Sequence, residues 1–270
     1  MSWARVMAPL AGVEGDAAVL AAAVRAAEPF GAEVSAVFAP ADVADIMPWL
    51  GEGYLGGVQT TAIETLRQAA ATGEARSRAA FEACAYAKKT FTALQSPVWA
   101  ALSAEARLSD LVVFGDDPAR GRGPLAECFQ QIVADEQRPV LIARDGFQAG
   151  GVIAVAWDGG KEASRAARLA MPLLEKASRV VLLAAPKATS RHFEPDRLRA
   201  YYAARGVEAE VEVLAEKGEA AGLLLSAVRK VGASLLVAGA FGHPRLQEFI
   251  FGGTTRTLLA ADQPSLFLSH

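Results

Sequence analysis

Cysteine is nearly absent: Cys84 and Cys128 are the only two in 270 residues. Neither sits in a C-x-x-C or zinc spacing, so the sequence predicts two buried thiols in a reducing compartment. Long hydrophobic runs are missing as well. No stretch approaches the roughly 18 apolar residues that cross a bilayer. The N-terminal "VMAPLAGV" is cut short by Glu14 and Asp16, which fits a buried strand better than a signal peptide. Basic clusters are lacking: the formal charge is −3 and the pI about 5.7. Without a Lys/Arg stripe, nucleic acid is not an expected partner. The expectation is a cytoplasmic protein that engages neither membrane nor nucleic acid. Histidine is scarce too, and His192, His243 and His270 are too scattered to hold a metal.

What is present is material for a core. Hydrophobic residues make up 52% of the chain and charged residues 21%, enough for one large domain or two ordinary ones. Apolar strands alternate with amphipathic helices, the pattern of a parallel sheet covered by helices. In the second half the strands read "VIAVAW" (152–157), "RVVLLAA" (179–185), "VEAEVEVL" (207–214), "SLLVAGA" (234–240) and "PSLFLSH" (264–270). Helices are expected over 161–177, 195–206, 219–233 and 252–262.

The first half repeats this pattern. "EVSAVFAP" (33–40) lines up with "RVVLLAAP" at an offset of 146 residues, whereas "DLVVFG" (110–115) and "EQRPVLIAR" (136–144) match their counterparts at 124 and 125. The first half therefore carries an insertion, assigned to residues 41–62, with a long helix over 63–87 after it. Ser96-Pro97 reads as an N-cap followed by proline at the first helical position. The chain divides into an N-terminal domain, 1–146, and a C-terminal domain, 151–270, joined by "DGFQAGG". Two tandem α/β domains of five strands imply a pseudo-twofold pairing of the halves within one chain. Whether the fused pair assembles further, for example as a homodimer, is left open.

Chemistry-bearing residues gather in the second half. In open α/β sheets ligands bind beyond the carboxyl ends of the strands, where the connection direction reverses. Two loops would meet there, "WDGGKE" (157–162) and "GAFGH" (239–243). Gly239 and Gly242 let the backbone turn with its amides exposed. Gly252 and Gly253 open a helix whose first amides favour an anion. Thr254 and Thr255 add hydroxyls, Arg256 and His243 positive charge, and Asp158 an acceptor for a ribose hydroxyl or a base amine. Each residue also has a plainer reading, since Asp158-Gly159 is a common turn and Thr254 a common N-cap.

The spacing G-A-F-G-(nine residues)-G-G-T-T resembles the G-x-x-G-(nine residues)-G-Ser/Thr nucleotide motif of the universal stress protein family. The resemblance implies five-stranded parallel sheets in strand order 3-2-1-4-5, with ATP or a related adenine nucleotide as ligand and Mg²⁺ if it is ATP. Carried over, Asp158 faces the adenine and ribose, and Val181 offers backbone to the adenine. Gly239, Gly242 and His243 line the ribose and phosphate path, and Gly252, Gly253, Thr254 and Thr255 surround the phosphates. Where the family carries Ser or Thr after its third glycine, this chain has Gly253. The first half keeps Gly115 opposite Gly239, but Asp116, Asp117, Glu127 and Cys128 replace the rest, so no nucleotide is expected there.

Three functions stay open. The first is a regulatory stress protein that binds a nucleotide and at most hydrolyses ATP weakly. The second is a nucleotide-free dimerisation scaffold with both sites vestigial. The third is a slow ATPase or nucleotide-dependent transferase. The absence of a Walker G-x-x-x-x-G-K-[ST] sequence favours the first over the third.

Overall fold

The computed structural model describes residues 2–40, 56–95, 97–186, 194–215, 217–240 and 253–270. Most of the 41–62 insertion, Ser96, Gly242, His243 and Gly252 lie outside them. Two compact units emerge, Ala4–Phe129 and Gln130–His270, the second joined by Met1–Trp3.

The first unit runs β1 (Arg5–Leu10), α1 (Asp16–Ala27), β2 (Glu33–Phe38), α2 (Gly56–Ala83), β3 (Lys89–Ala93), α3 (Val98–Arg107), β4 (Leu111–Phe114), α4 (Asp116–Ala119) and the start of α5 (Ala126–Ala134). Its strands lie in the order β3-β2-β1-β4, and the pairs β1–β2, β1–β4 and β2–β3 are parallel. Pro9 has no N–H to give, and it falls beyond Met7↔Val112, the last pair joining β1 to β4. Two boundaries differ from the sequence expectation. Helix α2 starts inside the presumed insertion and stops at Ala83, where Lys89 Nζ donates to the carbonyls of Phe81 and Cys84 and caps the helix end. Pro97 is itself the N-cap of α3, extended at ψ 114°, and Val98 is the first helical residue.

The second unit contains β5 (Val140–Ile142), β6 (Val152–Trp157), α6 (Lys161–Leu169), α7 (Met171–Leu174), β7 (Arg179–Ala184), α8 (Pro195–Ala203), β8 (Ala209–Val213), α9 (Ala220–Val231), β9 (Leu235–Gly239), α10 (Gly253–Ala260) and β10 (Ser265–Ser269). Its order is β5-β10-β9-β6-β7-β8. The second half's own strands thus read 3-2-1-4-5, and the first unit repeats the 3-2-1-4 part. The single helix expected over 161–177 is two, because Pro172 brings no N–H and its ring disfavours helical backbone just before it. Glu219 caps α9 by accepting from the N–H groups of Ala221 and Gly222, and Gly232 ends it in the left-handed conformation at φ 68°. In β8 the alternation puts Glu210 and Glu212 on one wet face, paired with Arg179 and Lys230. Tyr202, fully buried on α8, donates to the Ala167 carbonyl of α6 at 3.1 Å; burial pushes its ionisation far above the usual phenol range.

The two halves of the sequence do pair, through the strands that end them. β5 is the last strand of the first half, yet it belongs to the second compact unit. There it runs antiparallel to β10, with Ile142, Leu141 and Val140 opposite Leu266, Phe267 and Leu268. Arg144 locks the pair. Its guanidinium is buried and donates to the carbonyls of Pro264 (2.6 Å), Leu259 (2.9 Å) and Leu258 (3.3 Å). Its backbone N–H donates to Ser265 Oγ at 3.0 Å. One side chain from the first half thereby satisfies the C-terminal carbonyls of α10, which have no partner inside their own helix.

Replacing Arg144 by Met keeps the aliphatic stem and strands those carbonyls in a dry interior. The expected loss is about 3 kcal/mol. It would be read as a lower urea midpoint at unchanged slope, against little change for the exposed control Arg256→Met.

Candidate functional site

β6 ends at Trp157, and the chain turns at once. Gly159 takes φ +80°, and Asp158 Oδ1 accepts the Gly160 N–H at 2.8 Å, a local turn that launches α6. The first turn of α6 then lies directly on β9. A Cβ built on Gly239 would stand 2.5 Å from the backbone N of Ala163 and 2.8 Å from Glu162 Cβ. Gly239 is glycine because helix backbone and strand backbone meet there, not only because a loop must bend.

Above this contact, at the carboxyl ends of β6, β7 and β9, opens a cavity of about 230 Å³. Asp158, Gly239, Gly253, Thr254 and Thr255, chosen from the sequence, all line it. Its apolar wall includes Trp157, Leu183, Leu214, Leu224 and Leu258. Val181 is not among the lining residues. It lies within β7, buried and paired with Ala154 and Glu210, whereas Leu183 and Ala185 at the end of that strand reach the cavity. Arg256 is exposed and does not line the cavity either.

One lining residue was missed by the sequence reading. Glu162 stands in the first turn of α6 with its side chain only 12% exposed, and its recorded ion-pair partner is the solvent-facing Lys161 at 3.4 Å. Only its spacing, four residues after Asp158, could have flagged it. Among the described residues the cavity's charged lining is therefore two carboxylates. The donors suited to a phosphate are the first amides of α10 and the hydroxyls of Thr254 and Thr255, with Thr255 buried. Helix-start amides and hydroxyls of this kind are groups that can hold a phosphate. Among the described residues no group of three His, Cys, Asp or Glu side chains could hold a metal ion, and no helix is long and apolar enough to cross a membrane.

A sequence profile of the universal stress protein family matches residues 151–266. Over those residues the chain is similar to the universal stress protein family. The fold likeness is wider. A universal stress protein from Archaeoglobus fulgidus superimposes with a TM-score of 0.61 at 17% identity, over 98% of this chain and 95% of that one. A functionally unknown protein from Pseudomonas aeruginosa gives 0.56 at 15%, over 99% and 92%. No curated protein matches the sequence.

The first unit closes the corresponding place on itself. After β1, where the second unit has Asp158, the chain has Gly12 at φ +75°, with its Cβ position 2.3 Å from the Cα of Gly73 on α2. Asp16, 3% exposed, accepts from the Gly12 N–H (2.9 Å) and from Ser77 Oγ of α2 (2.6 Å). Helix α2 thus sits on the loop that a ligand would need. The acids expected to repel phosphate are occupied too, Asp116 by Arg120 at 2.9 Å and Asp117 by Arg122 at 2.6 Å. Cys84 and Cys128, expected as buried thiols, are only half-buried.

If Gly239 is set by backbone packing, Gly239→Ala loses about 2 kcal/mol of stability with no nucleotide present. Thermal unfolding of the ligand-free protein tests this, and an unchanged Tm would assign the glycine to the ligand instead.

Proposed function

We propose that the C-terminal unit binds an adenine nucleotide of the ATP type, with Mg²⁺ accompanying a triphosphate, and that the protein acts as a regulatory member of a stress response rather than as an efficient catalyst. One observation carries the reading. A single cavity draws on the end of β6, the end of β9 and the start of α10, the three places where the sequence resembles the family's nucleotide motif. Gly242, His243 and Gly252 enter this proposal on the motif alone. The first unit, with α2 packed on its β1 loop, is proposed to bind none.

The test is direct. Purified protein should show an absorbance ratio at 260 and 280 nm above that of the bare chain, and chromatography of its denatured supernatant should release an adenine compound. Calorimetry with ATP and Mg²⁺ should give one site per chain. If both measurements are blank, the nucleotide reading falls.

A second reading, a nucleotide-free scaffold, gains support from two glycines. Packing alone accounts for Gly239, and Gly253 lacks the family's hydroxyl. Gly253 also separates the two readings, because none of the described residues stands within 4 Å of its Cβ position and a serine fits among them without strain. One added charge-assisted hydrogen bond is worth roughly 1.5 kcal/mol. Gly253→Ser should therefore tighten ATP·Mg²⁺ about tenfold in calorimetry; no gain would favour the scaffold.

A further inference from the structure

We propose that Glu162 is a ligand-contacting residue of the C-terminal cavity, and that with Asp158 it reads the vicinal hydroxyls of a ribose. The proposal rests on the nucleotide reading above and goes beyond its motif, which does not include Glu162.

Position is the first support. The first turn of α6 is pinned on Gly239 by backbone contact, so Glu162 Cβ has one place to be, and Glu162 lines the cavity. Spare capacity is the second. The Glu162 side chain is 12% exposed, and Lys161, 82% exposed and 3.4 Å away, is a weakly held surface partner, so the carboxylate has room to accept from a further donor. Division of labour is the third. Asp158 has committed Oδ1 to the Gly160 N–H and keeps Oδ2 for another donor. Two acidic residues lining one cavity disfavour phosphate beside them but accept well from hydroxyls. The phosphate-suited groups sit elsewhere, on α10. A ribose between base and phosphates offers two adjacent O–H donors, and acidic side chains beyond a β-strand are a recurrent solution for binding them.

The experiment compares ATP with 2′,3′-dideoxy-ATP, both with Mg²⁺, by calorimetry on the full chain and on Glu162→Ala. Alanine keeps the Cβ that packs on Gly239, and thermal unfolding checks the fold; Glu162→Gln serves if the alanine variant is unstable. The native chain should prefer ATP by at least about tenfold, the weight of one to two charge-assisted hydrogen bonds. In Glu162→Ala that preference should shrink to about threefold or less, by loss of ATP affinity while the dideoxy compound is little changed. An equal preference in both proteins, or no preference in the native chain, overturns the role of Glu162 and leaves nucleotide binding intact. Failure of the native chain to bind either compound overturns the nucleotide reading and this proposal together.

Discussion

A backbone-to-backbone contact at Gly239 organises the C-terminal unit. Helices usually ride on a sheet at the distance their side chains set, but here the start of α6 touches β9 with no side chain between them. That contact fixes where α6 begins, and so fixes the turn at Asp158 and the direction of Glu162. It also leaves open space on the far side of the loop, which becomes the cavity. The site's geometry follows from packing, and its chemistry from the few polar residues that the packing presents.

The two halves show what the same topology does when that space is filled. In the second unit the acids and hydroxyls at the ends of the strands line a hollow. In the first, α2 descends onto Gly12, and Ser77 supplies from within the chain the hydroxyl partner that Asp16 needs. A buried carboxylate without donors is costly, so Asp16 and Ser77 stand or fall together. The first half thus fills the corresponding place by packing, with polar satisfaction maintained.

Much of the fold was legible because it rests on local pattern. Apolar runs such as "VIAVAW" and "RVVLLAA" mark strands buried on both faces, and the offsets between halves exposed the duplication. The site loops were legible because glycine and Asp-Gly pairs punctuate them. Other features depend on distant partners. Nothing near Arg144 in sequence announces that it will cap α10, and nothing around Ser77 points to Asp16. Glu162 was hidden for a different reason: an acid in a first helical turn is ordinarily a solvated dipole partner, and only the approach of β9 encloses it. Helix α2 starts before the expected residue 63 and takes in Gly56 and Gly57, whose low helix propensity gives no local sign of it.

The pairing of β5 with β10 also sets an order of events during synthesis. β5 is made well before its partner strand β10, and the guanidinium of Arg144 has no carbonyls to hold until α10 exists. All of Ala4–Phe129 can collapse on its own contacts as it emerges, while β5 waits with one edge bare. Pairings between residues so far apart close late and slowly, and an open strand edge in the interval invites mispairing with a neighbouring nascent chain. A strand of three residues, as short as β5 is, limits that exposure. The brevity of β5 is in this light a safeguard on the way to the fold, as well as a feature of it.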